Sequence, residues 1–337
     1  MKVSIYSQKK ILIIGGTGTI GRYLTEELLL HNPSVIRIFS RDEYKQFEMQ
    51  QELREYTNIR YLIGDIRDEK RLLRAMEDID FVFHLAAMKH VPSCEYNPFE
   101  AVKTNVLGTQ NVIQAAISAG VKRVLFTSTD KAIAPTNTYG ATKLTAERLI
   151  SSAEYQKGPK QTIFSSVRFG NVMGSRGSVI PLFRKQIIEN RMVTVTDKNM
   201  LRYMMTPSQA IALMLEANEM AYGGEVFVLK MPVIKLSHLI DVLIQEVTIR
   251  NSIKDEIEIM QIGLRPGEKM YEELMTEDEI RIALETKNMY IINAPFASFR
   301  KYKHAYPIKE IPVVSEEHVI GKNTLRNWIS QENLLGE

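Results

Sequence analysis

Three features of the 337-residue chain predict an α/β fold built on a doubly wound parallel sheet, with a smaller α/β lobe attached. Short β-branched runs alternate with longer helical patterns through the first half. A glycine-rich loop follows the first run, and hydroxyl and charged residues gather where the fifth run ends. The expected strands are 11–14, 35–39, 59–63, 81–85, 121–127 and 162–167, and the helical stretches between them include 20–30, 99–119 and 139–155. In 99–119, Val102, Val106, Ile113 and Ile117 recur at three- to four-residue multiples and place one apolar stripe on the sheet. After Arg168 the alternation breaks at Gly170, Gly174, Gly177 and Pro181, then at Gly223-Gly224, Pro232 and Pro266-Gly267. The expected organisation is a dinucleotide-binding domain over 1–167 with returning elements near 204–230, for example 226–229. The smaller, substrate-binding lobe takes 168–203 and 231–337.

Composition excludes several classes. Hydrophobic residues at 45% and charged residues at 25% give enough apolar surface for a sizeable core. The single cysteine, Cys94, cannot close an internal disulfide or build a cysteine-rich metal site; it reads as a core thiol in a reducing compartment. A net charge of +3 with no run of five or six basic residues argues against nucleic acid or anionic lipid as partner. No stretch nears the roughly 18 apolar residues of a membrane helix, so the expectation is a soluble cytoplasmic protein. His84 and His90 read as structural, since no second ligand set stands at metal spacing, and no metal is expected.

The loop Gly15-Gly16-Thr17-Gly18-Thr19-Ile20-Gly21 sits between a strand and a helix, where glycines admit a pyrophosphate to the free N–H groups of a helix start. At the second strand end, Ser40 and Arg41 suit a 2′-phosphate and favour NADP over NAD; the alternative is a solvated arginine with Asp42 on the ribose. Asp65 after the third strand suits an adenine amino group, or is a plain turn residue. Ser128-Thr129-Asp130-Lys131 stands at the fifth strand end, and Tyr139 and Lys143 lie four apart on one helix face. A cation beside the phenol would favour phenolate and make Tyr139 a general base. Moving one hydrogen needs only Thr129, Tyr139, Lys143 and a nicotinamide. Asp130 and Lys131 add an acid and a base, the pair that elimination of water from a 4-keto sugar requires.

Together the glycine loop, the strand-end hydroxyl and the tyrosine–lysine pair identify a short-chain dehydrogenase/reductase on a Rossmann sheet. The segments GGTGTIG (15–21), SRDE (40–43), GDIRD (64–68), FHLAAMKHVPSCEYNP (83–98), TNVLGTQNVI (104–113), STDKA (128–132), YGATK (139–143), VRFGNVMGSRGSVIPLF (167–183) and GLRPGEKMYEEL (263–274) resemble the soluble UDP-N-acetylglucosamine 4,6-dehydratases of flagellin glycosylation and capsule synthesis. The resemblance covers about residues 10–275, and the last sixty residues match poorly. It implies Thr129, Asp130, Lys131, Tyr139 and Lys143 as the catalytic group, with Asp-Lys where dTDP-glucose dehydratases have Asp-Glu. It implies cofactor contacts from the glycine loop, Ser40, Arg41, Asp65, Ile66, Ala86, Ala87, Lys89, Asn105, Tyr139 and Lys143, and further substrate contact from Lys89.

In the second half, Asn171, Arg202 and Arg265 offer hydrogen bonds and charge to a diphosphate, Val179 and Pro181 a face for uracil, and Glu268 an acceptor for ribose. The implied reaction oxidises C4 of a UDP-N-acetylhexosamine, eliminates water across C5 and C6 and returns the hydride to C6, with a lean towards inversion at C5. A nucleotide-sugar 4-epimerase or reductase is the rival. A homo-oligomer is implied, a hexamer among its forms.

Overall fold

The computed structural model describes residues 4–263, 269–270, 272–294, 302–309 and 314–336. The first half alternates as the sequence predicts. Strands β1 (Lys10–Ile14), β2 (Val35–Ser40), β3 (Ile59–Ile63), β4 (Phe81–His84), β5 (Arg123–Thr127) and β6 (Ile163–Arg168) fall within two residues of their expected ends. Helices α1 (Thr19–Leu30), α2 (Glu43–Glu52), α3 (Glu69–Met76), α4 (Val91–Tyr96), α5 (Pro98–Ala101), α6 (Gly108–Ala119) and α7 (Thr138–Gln156) connect them. The stretch expected as one helix over 99–119 is instead α5, a π-helical segment Val102–Leu107 and α6. One widened stretch leaves the apolar stripe on the sheet, so its periodicity hid the break.

The second half adds β7 (Asn171–Val172), α8 (Val179–Asn190), β8 (Met192–Val195), β9 (Leu201–Met205), α9 (Pro207–Met220), β10 (Val226–Leu229), β11 (Val233–Lys235), α10 (Leu236–Arg250) and β12 (Glu258–Gln261). It closes with α11 (Glu277–Ile282), β13 (Leu284–Glu285), β14 (Met289–Ile292), β15 (Tyr306–Pro307) and α12 (Lys322–Gln331). Among the described residues no helix is long and apolar enough to cross a membrane.

The chain folds into two compact units. The first comprises Met1–Phe169, Ile211–Leu229 and Met275–Glu310. Its sheet runs β15-β13-β14-β10-β6-β5-β4-β1-β2-β3. From β3 to β10 every pairing is parallel, and β14, β13 and β15 add on antiparallel. Ile11–Ile14 of β1 and Val82–His84 of β4 are almost fully buried, as befits strands covered by helices on both faces. The order reverses between β1 and β4, and at such a point the carboxyl ends of the strands open towards a ligand. Strand β10 joins β6, as expected for 226–229. Residues 275–294 and 302–309 differ from expectation: the sequence pattern assigns 231–337 wholly to the smaller lobe, whereas β14 pairs along β10 and these residues belong with the large sheet.

The second unit comprises Gly170–Ala210, Lys230–Leu274 and Ile311–Glu337. It holds the sheet β11-β9-β7, the parallel pair β12-β8, and a core of its own in which Ile180, Phe183, Val193, Leu239, Leu243 and Leu325 are buried.

Candidate active site

The glycine loop turns β1 into α1. Gly15 has φ +82° and lies so close to the next strand's exit that a Cβ there would come within 2.8 Å of the Ala86 nitrogen. Ala86 thus packs on the loop, with Ala87 half-buried beside it. Gly21 is buried against the Gly16 backbone, Thr17 is buried, and Thr19 and Ile20 open the helix half-buried. Gly18 caps α1 with no side-chain hydrogen bond, and no acidic residue stands in the first turn. The helix therefore turns its positive dipole end towards the glycine loop, which suits a pyrophosphate.

Beyond β2, Arg41 is exposed and its guanidinium lies 3.5 Å from Asp65. Asp42 is the N-cap of α2, accepting from the Lys45 nitrogen at 3.0 Å and paired with the Lys45 ammonium, so the carboxylate that could bind a ribose diol is engaged. Ser40 Oγ accepts from Gln46 Nε2 at 3.0 Å. Asp65 accepts two side-chain bonds from Arg67, at 2.7 and 3.1 Å. Burial pushes its carboxyl upward, but the Arg67 hydrogen bonds and the Arg67 and Arg41 charges hold it below the usual range. Ile66 is buried, and its carbonyl accepts from Asn111 at 3.0 Å. Lys89 is exposed on the loop after β4.

Asn105 differs from expectation. Buried in the π-helical segment, it donates from Nδ2 to the Met88 carbonyl at 2.9 Å and to Thr142 Oγ1 at 3.0 Å, while Oδ1 accepts from the Met88 nitrogen at 2.8 Å. Both amide hydrogens are engaged, so the side chain fixes the β4 loop to α7.

The candidate catalytic residues gather at the end of β5. The strand runs into a 3-10 turn, Asp130–Ala132, capped by Thr129. Thr129 Oγ1 donates to Asp130 Oδ1 at 2.9 Å, and Lys131 Nζ donates to the same oxygen at 3.1 Å. The Asp130 side chain is fully buried, whereas Lys131 is 29% exposed. The Ser128 hydroxyl next to them is buried with no hydrogen-bond partner among the described residues. Ser128 belongs to the motif without a role assigned from sequence; its place as the first residue past β5 is the signal that marks it.

Helix α7 begins at the Asn137 cap, whose Oδ1 accepts from the Gly140 nitrogen at 2.9 Å. Gly140 is required here: a Cβ would fall inside 3.0 Å of the Lys131 carbonyl oxygen. This close approach docks the first turn of α7 on the acid–base turn and brings Tyr139 to Thr129, with which it shares a side-chain hydrogen bond. Burial pushes the Tyr139 phenol up to about 12, partly offset by the Lys131 charge and the Thr129 bond. The cation acting on the phenol is thus Lys131. Lys143, expected beside it, donates to the Thr127 carbonyl and lies 4.0 Å above the Phe126 ring centroid. Its burial drives the ammonium down to about 7, against the opposing pull of Glu147.

His84 is a structural residue. Its Nε2 meets Thr109 Oγ1 at 3.0 Å, and because that hydroxyl donates to the Asn105 carbonyl at 2.7 Å, Nε2 carries the hydrogen. Cys94 is buried.

In the second unit, Asn171 donates to the Tyr203 carbonyl and to Glu272, each at 3.1 Å. Arg202, expected on a diphosphate, donates to the carbonyls of Leu201, Lys269 and Met270 at 2.7–3.0 Å and lies 3.8 Å from Glu272. Both side chains therefore bind the chain's own 269–272 segment, because a half-buried guanidinium must satisfy its donors. Val179 and Pro181 are half-buried in the first turn of α8, and Ile180 between them belongs to the unit's core. Ser178, the N-cap of α8, escapes the sequence reading; its hydroxyl is buried with no partner among the described residues, and a serine just before an apolar helical run is its signal. Arg265 and Glu268 lie outside the described residues.

Comparisons with known proteins extend this geometry. A family model described as polysaccharide biosynthesis protein matches residues 11–294. The X-ray structure of Pen from Bacillus thuringiensis is 58% identical and superposes with a TM-score of 0.91, covering 98% of this chain and 99% of that one. A UDP-N-acetylglucosamine 4,6-dehydratase (inverting) of Campylobacter jejuni is 43% identical over 291 residues, 86% of this chain and 84% of its own length. A UDP-glucose 4-epimerase of Rickettsia conorii is 39% identical over 292 residues, 86% of this chain and 84% of its own.

Proposed function

Because the chain belongs to the polysaccharide biosynthesis protein family, extended short-chain dehydrogenase/reductases of the nucleotide-sugar dehydratase and epimerase type, we propose that it is a UDP-N-acetylglucosamine 4,6-dehydratase using NADP. The observation that carries the reading is the Thr129–Asp130–Lys131 chain beside Tyr139. An epimerase needs the hydroxyl, the phenol and the nicotinamide, but has no use for a buried carboxylate hydrogen-bonded to an ammonium.

The glycine loop, the α1 N-terminus and Ser128 fit a dinucleotide, and Arg41, with Asp42 engaged as a cap, favours a 2′-phosphate. Bound there, the cofactor supplies the transient oxidation at C4 and the hydride that completes C6. Tyr139, acting as the phenolate that the nearby Lys131 charge favours, accepts the O4 proton. Proton transfer across the 3.1 Å Lys131–Asp130 bond converts the ion pair into a neutral amine and a carboxylic acid. Those are the base for the C5 proton and the acid for the departing C6 hydroxyl. Afterwards the ammonium and the carboxylate are restored, so the pair turns over. Val179, Pro181 and the Ser178 hydroxyl are the nucleotide contacts that the second unit offers.

Mass spectrometry of UDP-N-acetylglucosamine incubated with the enzyme tests the proposal. Loss of one water supports it; an unchanged mass with inverted C4 establishes the second reading, a 4-epimerase, which the Rickettsia relative favours. The inverting Campylobacter relative favours inversion at C5, and proton coupling constants of the 4-keto product read that centre.

A further inference from the structure

We propose that Arg67 is a positioning residue that sets dinucleotide specificity: it occupies the Asp65 carboxylate and so leaves Arg41 to bind the cofactor's 2′-phosphate. The inference rests on the NADP reading above and deepens it with a residue that the sequence pattern passes over.

Beyond the ends of β2 and β3, five side chains of alternating sign are joined by ion pairs. Arg41 Nη1 lies 3.5 Å from Asp65 Oδ2. The same oxygen accepts from Arg67 Nη2 at 2.7 Å and from Arg67 Nε at 3.1 Å, while Oδ1 accepts from the Arg67 main-chain nitrogen at 2.9 Å. Arg67 Nη1 donates onward to Glu100 Oε2 of α5 at 3.0 Å, and Glu100 Oε1 is paired with Lys103 of the π-helical segment. Three cations thus meet two carboxylates, and one positive charge is in excess.

The geometry says where that excess lies. Asp65 is held by three short bonds from Arg67, and Glu100 has Lys103 as well as Arg67. Arg41 makes only the longer pair, and its side chain is 61% exposed. Asp42, beside it in the chain, caps α2 and is paired with Lys45. The surplus charge therefore sits on Arg41, at the place where a 2′-phosphate would arrive. Without Arg67, the Asp65 carboxylate would turn from a neutralised partner into a competitor that holds Arg41 and repels the phosphate. A ribose 2′-hydroxyl carries no charge, so NAD would feel little of this change.

Titration calorimetry of the full chain with NADP and with NAD reads the ratio of the two affinities in the wild type, in Arg67→Gln and in the double variant Asp65→Asn, Arg67→Gln. In Arg67→Gln the preference for NADP is expected to fall roughly threefold to fivefold, the upper range for one partly exposed charge interaction. The double variant, which removes the carboxylate that Arg67 had neutralised, is expected to regain the wild-type ratio to within about twofold, although the altered Asp65 weakens both cofactors. An arginine that only stiffened the loop would weaken NADP and NAD alike, and restoring the ratio by removing Asp65 would have no basis. An unmoved ratio in Arg67→Gln, or a double variant that does not recover, overturns the proposal. Should Arg67→Gln not fold, Asp65→Asn alone is expected to hold or raise the preference for NADP, and a fall there overturns the proposal equally. A wild type with no preference for NADP refutes the NADP reading and this inference with it; a wild type that prefers NADP, with a ratio that Arg67→Gln leaves unmoved, refutes this inference alone.

Discussion

Replacing Gly140 by alanine tests how closely the acid–base turn and the tyrosine helix are docked. The added methyl would sit 3.0 Å from both the Lys131 carbonyl carbon and the Pro135 Cβ, and nearer still to the Lys131 oxygen, where ordinary contact begins at 3.4 Å. Clearing the oxygen moves the first turn of α7 by roughly 1 Å, and Tyr139 moves with it. Helix propensity favours alanine by only about 1 kcal/mol, too little to hold the turn against that overlap. A displacement of this size between reacting groups costs on the order of 100-fold in rate, equivalent to about 2.7 kcal/mol of barrier. The assay is the initial rate of water loss from UDP-N-acetylglucosamine, with thermal melting and NADP retention measured on the same sample. The expected variant is folded, holds cofactor and turns over about a hundredfold more slowly. A rate within twofold of wild type would refute the claim that the close approach of Gly140 to Lys131 sets the catalytic geometry.

Other consequences follow from the same geometry. Asp130→Asn and Lys131→Ala are each expected to lose dehydration while retaining cofactor, because both are proposed to act on the sugar; full activity in either removes the roles assigned to the pair. Arg41→Ala weakens NADP binding by roughly tenfold to a hundredfold and leaves NAD binding nearly unchanged, as titration calorimetry would read, since a charged hydrogen bond to the 2′-phosphate is lost. His84 makes stability fall in acid. Burial lowers its folded pKa from 6.5 to about 3, so its contribution is whole above pH 6.5 and is lost as pH falls towards about 3. Between pH 7 and pH 5 it accounts for about 2 kcal/mol, measurable as a smaller loss in denaturant midpoint for His84→Gln than for wild type.

Much of the fold was legible because it rests on local pattern. Strands β1, β4 and β5 are short apolar runs buried along nearly their whole length, which leaves them no other reading. The return of β13 and β14 was not legible: strands of two and four residues in an irregular stretch carry no period, and only pairing along β10 reveals them. The candidate catalytic residues stood out as residue types at a recognisable spacing, and the structure brings Thr129, Asp130, Lys131 and Tyr139 together. Spacing did not disclose where a long side chain finds its partner. Tyr139 and Lys143 share a helix face, yet Lys143 turns to the Thr127 carbonyl. Arg202 has the chemistry of a phosphate ligand, yet its donors meet main-chain carbonyls 67 and 68 residues away. Asn105 reads as a cofactor contact, but a buried amide closes on whatever acceptors the fold provides, here Met88 and Thr142.

The central claim is that one hydrogen leaves C4 of the sugar and is delivered to C6 of the same molecule as water is lost. UDP-N-acetylglucosamine deuterated at C4 tests it directly, with no nicotinamide added beyond that carried by the enzyme. The account predicts a 4-keto product lighter by one water, with deuterium in the C6 methyl group. A sugar of unchanged mass that keeps deuterium at C4 contradicts it.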